Sequence, residues 1–437
     1  MNVLMMAGSN SVLPSVYELS WPKTKEAPIS RARAVTVSTL GITQTLAWAS
    51  SYYLPAMLAT SMARDIGISV QLVFAAFSAA LVLAAFLGPL AGRSIDRYGG
   101  RPILIATNII FALGLTGLAL AQDAIVFFAS WLIIGAAMGA GLYEAAFSTA
   151  VRLYGHNARS AITGITLFAG FASTLGWPLS AWLELEYGWR SACMSWAALH
   201  LFIGLPLNAS IPKVTVPSEH ADSTLPAPPS DVPMGLAEHK TRSNYCQNTG
   251  PARRASVLLA TVFAVTWFVS TAMAAHLPRL LQDSGLTLAS AVAVAALVGP
   301  AQVVARLMEF GLLRRVHPLL SAKIATLLHP VGAACLMFFG APAAVLFTLL
   351  HGAGNGILTI AKGTLPLVIF GPHGYGLRQG LLMVPARVAQ ATSPFLFGFL
   401  IQKWGASSLW ISSLLGLMAF ACVLWLTRDM KSQDPAA

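Results

Sequence analysis

The sequence predicts an all-α integral membrane protein, with twelve transmembrane helices arranged as two pseudo-symmetric six-helix bundles. Three observations carry this reading. Of 437 residues, 56% are hydrophobic and 10% charged, with a mean hydropathy of +0.69, which is more apolar surface than a soluble domain of this size buries. A crossing needs roughly 20 predominantly apolar residues, and about twelve such runs occur, near 33–59, 69–92, 102–122, 125–150, 160–183, 191–211, 255–281, 287–312, 321–340, 343–370, 376–402 and 406–427. A polar interruption follows the sixth run, and the sequence on either side of it repeats.

Taken in order, residues 1–32 form a short cytoplasmic tail. They lack a secretory pattern, because the basic residues stand apart from the first apolar run and no cleavage site follows. The N-terminal six-helix half is 33–211. Residues 212–254 carry Pro226, Pro228, Pro229 and Pro233 among serines and clustered charges, the composition of a flexible cytoplasmic linker. The C-terminal half is 255–427, and 428–437 form a cytoplasmic tail. Of the 27 lysines and arginines, twenty fall on one side of the spans and four (Arg64, Arg190, Arg279, Lys403) on the other. The positive-inside rule then puts both termini in the cytoplasm, in an inner membrane. The net charge of +11 is read as topology and contact with the lipid bilayer, with no nucleic-acid partner. Cys193, Cys246, Cys335 and Cys422 are scattered, so neither a disulfide framework nor a metal site is suggested. No cofactor is called for, and a monomer is expected.

The repeat is legible within the chain. Gly92 with Ile105–Ala106–Thr107 matches Gly311 with Ile324–Ala325–Thr326 at one offset of 219, Arg315 standing where Asp96 stands in the first copy. Gly135, Ala136 and Gly139 match Gly352, Ala353 and Gly356, and Gly164 and Pro178 match Gly380 and Pro394. Parallel six-helix halves imply a substrate site at their interface, near the bilayer midplane.

Between spans 2 and 3 stand Gly92-Arg-Ser-Ile-Asp96-Arg97-Tyr-Gly-Gly-Arg101. A glycine there lets two helix backbones approach, an acid can face a helix N-terminus, and arginines stay among headgroups. The stretch resembles the loop between the second and third helices of the major facilitator superfamily of transporters. The resemblance implies alternating access by rocking of the halves, with Gly92, Asp96, Arg97 and Arg101 as a conformational latch, Asp96 docking on the N-terminal end of span 11. It also implies that spans 1, 4, 7 and 10 line a central cavity.

Charges inside apolar spans are costly and usually face a cavity or a partner. Five occur: Glu144 in span 4, Arg306 and Glu309 in span 8, Lys362 in span 10 and Arg387 in span 11. Three are cationic, so the cavity should attract a small or medium organic anion, and a guanidinium can grip a carboxylate through two parallel hydrogen bonds. Arg306, Arg387 and Lys362 are the candidate anion ligands, with Trp48, Gln44 and Ser51 of span 1 and Thr266, Trp267 and Ser270 of span 7 filling out the site. Gln302–Arg306 with Gly311 also resembles the eighth helix of monocarboxylate porters, although Gln302 replaces the acid that carries the proton in that family. Glu144 is then the candidate for proton coupling. Structural alternatives stand beside these roles: a Glu144–Lys362 bridge, Arg387 held by Glu144 or by backbone carbonyls, and Glu309 as a headgroup anchor. Pro89, Pro178, Pro300, Pro366, Pro385 and Pro394 are the expected kinks. Gly170, Gly176 and Pro178 keep open a proton-driven multidrug or metabolite exporter. An enzyme is not expected, for no nucleophile or metal constellation appears, and the phosphate loop of an ATP-driven pump is absent.

Overall fold

A computed structural model describes residues 31–213, 250–311 and 317–432. The expected N-terminal tail, most of the linker and the Arg314–Arg315 remnant lie outside the described residues. Among the described residues every regular element is helical. The first half runs α1 (Arg31–Ser50), α2 (Leu54–Ile66), α3 (Val70–Tyr98), α4 (Gly100–Leu120), α5 (Ala124–Gly141), α6 (Tyr143–Tyr154), α7 (Ala158–Ala169), α8 (Ala172–Leu199) and α9 (Leu205–Ala209). The second runs α10 (Gly250–Asp283), α11 (Leu288–Ala295), α12 (Val298–Gly311), α13 (Pro318–Phe339), α14 (Ala344–Phe370), α15 (Tyr375–Trp404) and α16 (Leu409–Ser432). Eight continuous helical runs are long and apolar enough to cross a membrane.

Local chemistry explains many of the boundaries. Ser69 and Asp123 accept from the backbone N–H groups of Leu72 and Val126 at the starts of α3 and α5, satisfying donors that a helix start leaves free. α8 is two helices meeting at Gly188, whose φ of 81° suits a residue with no β-carbon. At one end of the molecule Asp65, just before the turn from α2 to α3, accepts from Trp189 Nε1 at 2.8 Å and Arg190 Nη1 at 2.6 Å. These donors hold its carboxyl below the usual carboxylate range.

The helices continue through the prolines that are the expected kinks. α3 continues through Pro89, and α15 through both Pro385 and Pro394. The interruptions inside the predicted spans fall instead at 51–53 between α1 and α2, at Leu142 between α5 and α6, at Gly170–Phe171 between α7 and α8, and at 296–297 between α11 and α12. Each half has its own apolar core, one centred on Trp131, Phe111 and Phe127, the other on Phe263, Phe347 and Phe397. The halves meet chiefly where α3 packs on α15 and where α7 meets α12 and α14.

Candidate functional site

The site is built around the break at Leu142, whose extended backbone (φ −86°, ψ −164°) ends α5. The freed carbonyl of Gly141 accepts from Gln44 Nε2 at 2.7 Å, so Gln44 stitches α1 to α5. α6 then restarts with Glu144 in its first turn, where the helix dipole favours an anion. Arg387 of α15 crosses from the other half to meet it: Nη2 donates to both carboxylate oxygens, at 3.1 and 3.0 Å, and Nη1 donates to Gln390 Oε1 at 3.0 Å.

This pairing corrects the expected Glu144–Lys362 bridge. Arg387 takes the carboxylate, and Lys362, only 4% exposed, points its ammonium at the face of Trp267, 4.0 Å from the ring centroid. The turn of α14 that carries it is fixed from α15. Pro366 has no N–H for the Lys362 carbonyl four residues earlier, and Gln379 Nε2 donates to it instead at 3.1 Å, while the Tyr375 hydroxyl donates to Gly363 O at 2.7 Å.

Trp48, from the end of α1, and Trp267, from α10, lie parallel within 4°, their centroids 6.1 Å apart. Arg387 Cζ lies 5.9 and 5.5 Å from these two rings. The indole N–H groups of both tryptophans and the amide nitrogen of Gln390 are buried with no hydrogen-bond partner. Arg387 and Arg306 both stand close enough to repel the Lys362 ammonium, and Glu144 is the carboxylate that attracts it. Gln44 Oε1 and Gln379 Oε1 are buried acceptors without a donor, so the excess in the cluster is of positive charge.

Other expected ligands stand elsewhere. Thr266 and Ser270 line a separate pocket inside the second half, with Thr326, His329, His351 and Asn355. Trp267, one residue round the helix from Thr266, takes the face toward Trp48. Ser51 spends its hydroxyl on Ala47 O of its own helix. Arg306 donates from Nη1 to the Thr166 carbonyl of the first half and from Nη2 to Gln302 Oε1, both at 3.3 Å, and its Nε has no partner. Gly170 makes room, because a β-carbon there would overlap the guanidinium. Glu309 is no headgroup anchor: it is 3% exposed and pairs with Arg159 of α7 at 3.3 Å, because α12 turns it toward the other half.

At the α3–α15 contact, Asp96 Oδ1 and Oδ2 accept from the backbone N–H groups of Gly376 and Leu377, each at 2.9 Å. These are donors of the first turn of α15, so one half caps a helix of the other. Gly92 lies against Gly376 so closely that a β-carbon on it would overlap the Gly376 carbonyl. Arg97 is exposed with its guanidinium 5.1 Å from the Tyr98 ring centroid, and Arg101 is half-buried.

The sequence reading had Trp267 among the span 7 candidates and left Gln390 and Arg159 out of the site. A signal for Trp267 existed: residues 48 and 267 are separated by the same 219 positions that relate Gly92 to Gly311. For Gln390 and Arg159 there was none, since each is defined by a partner on a distant helix.

A helical bundle with buried charge between its halves defines a multi-pass membrane transporter. The chain belongs to the Major Facilitator Superfamily, whose family model matches residues 40–361; that family and the structural neighbours are transporters and not enzymes. The chain is 25% identical over 391 residues to a gallate transporter of Pseudomonas putida, across 84% of this chain and 85% of that protein. Its fold matches the human organic anion transporter MFSD10 with a TM-score of 0.64 at 20% identity, covering 91% of this chain and all of that one. It also matches the proton:xylose symporter XylE with a TM-score of 0.68 at 14% identity, covering 89% and 94%.

Proposed function

We propose that the protein is a secondary active transporter of a small or medium organic anion, a carboxylate, working by alternating access in the cytoplasmic membrane with both termini inside. The observation that carries this reading is the imbalance between the halves: Lys362, Arg387 and Arg306 against Glu144, with indole and amide donors that lack acceptors. A carboxylate supplies both the charge and the acceptors. The names of the gallate transporter and the human organic anion transporter support the same class.

Twelve crossings are part of the proposal. A straight helix the length of the Ala124–Ala209 run, 86 residues, would be about 130 Å long, against a hydrocarbon core of about 30 Å. The turns at Gly155–Asn157 and Gly188 divide that run into three crossings, and Gly405–Ser408 divides Tyr375–Met430 into two. With α1 and α2 as one crossing, the total is twelve.

Glu144 is the proposed proton carrier. Protonation removes its charge and leaves Arg387 without a counter-charge, so the cationic cluster takes up the carboxylate of the substrate; proton loss restores the pair and returns the carrier to rest. Asp96 on α15 is the proposed latch, holding the side of the basic loops closed. Uptake of radiolabelled carboxylates into proteoliposomes tests both points. An inward proton gradient should drive accumulation by wild type, and Glu144→Gln should lose the drive while still exchanging anion for anion. Transport of tetraphenylphosphonium with no carboxylate flux would favour the exporter reading instead.

A further inference from the structure

The two tryptophans are walls as well as donors. They come from opposite halves and equivalent repeat positions, they lie parallel within 4° at 6.1 Å between centroids, and their N–H groups are buried and unpaired. Within 4.0 Å of one ring stands the Lys362 ammonium, which has no hydrogen-bond acceptor among the described residues. We infer that the transported anion is a planar aromatic carboxylate, its ring held between Trp48 and Trp267 and its carboxylate on Lys362; the inference rests on the organic-anion reading above.

Dimensions and charge both favour this ligand. Carbon atoms in contact sit about 3.5 Å apart, so a ring between two rings needs walls about 7 Å apart. The centroids are 6.1 Å apart, so the ring planes stand no farther apart than that, and a ring enters only when one half is displaced against the other. A clamp with one jaw on each half also makes ring occupancy felt by the rocking motion itself. An aliphatic carboxylate would meet Lys362 but leave the ring faces without a flat partner, a neutral arene would leave the ammonium unanswered, and an aromatic cation would be repelled.

Titration calorimetry on the purified full-length protein in detergent tests this with benzoate and 3,4-dihydroxybenzoate against cyclohexanecarboxylate, which has the same charge and nearly the same size but no flat π face. The aromatic acids should bind about ten-fold more tightly. Trp48→Leu and Trp267→Leu should erase that ratio, benzoate losing about ten-fold more affinity than cyclohexanecarboxylate. Trp48→Phe, which keeps a ring, should retain most of the ratio, and Lys362→Met should weaken all the acids together. Equal affinity for benzoate and cyclohexanecarboxylate in wild type, or a ratio that survives Trp48→Leu and Trp267→Leu, overturns the clamp and leaves the organic-anion reading standing. If none of these acids, nor an aliphatic panel of acetate, lactate and succinate, binds wild type, the organic-anion reading fails and the clamp with it. Melting curves without ligand keep a misfolded variant from being scored.

Discussion

Arg387 and Glu144 form the one ion pair that joins the halves inside the candidate cavity. Removing one partner of a buried pair typically costs about 3–5 kcal/mol, because the other charge is left without a counter-charge. Arg387→Gln should therefore lower the melting temperature strongly, and adding Glu144→Gln should recover much of the loss. A double variant no more stable than Arg387→Gln would show that the pair contributes nothing to stability. All four cavity charges were legible in the sequence, since a charge in an apolar run is a one-dimensional signal. Their pairing was not. Glu144 and Lys362 occupy nearly equivalent repeat positions, but partnership depends on which way each helix is rotated, and α15 brings Arg387 to the carboxylate first. The same blindness to rotation put Thr266 and Ser270 in the site beside Trp267, although they line a different pocket.

Helices break at the site and continue through most of their prolines. The breaks at 51–53 and Leu142 bring Trp48 and Glu144 to helix ends, and irregular backbone at membrane depth is tolerated only where other groups satisfy it. Gln44 does so for Gly141. Gln44→Leu should cost about 1–3 kcal/mol, the penalty for a buried carbonyl without its donor, and a melting curve within error of wild type would contradict that role. Spans could be counted from hydropathy because about 20 apolar residues leave little choice. Their interruptions could not, because proline marks a missing donor and gives no information on whether a neighbour supplies another, as Gln379 does for Lys362. At the α3–α15 contact, Asp96→Asn keeps the size and loses the charge, which at a helix N-terminus contributes about 0.3–2 kcal/mol. It should slow transport and leave anion affinity nearly intact; wild-type turnover would remove Asp96 from the mechanism.

Across the whole molecule the halves are tied on both flanks: Asp96 on α15 along one, and Arg159–Glu309 with Arg306 on Thr166 along the other. The proposed rocking would undo both, so Glu309→Gln, like Asp96→Asn, should favour opening on that side, seen as faster labelling of an introduced cysteine at the α7–α12 contact. The duplication was legible as a constant offset, and with it the idea of a site between copies. The second tie was hidden, because Arg159 counts among the cytoplasmic basic residues and Glu309 lies near a span end. The most direct test of an anion site between the halves is ligand-induced thermal stabilisation of the purified protein by carboxylates and by lipophilic cations, in wild type and Lys362→Met. Stabilisation by carboxylates that is lost in Lys362→Met is the expected result. Stabilisation by cations alone, or by carboxylates to the same extent in both proteins, would contradict it.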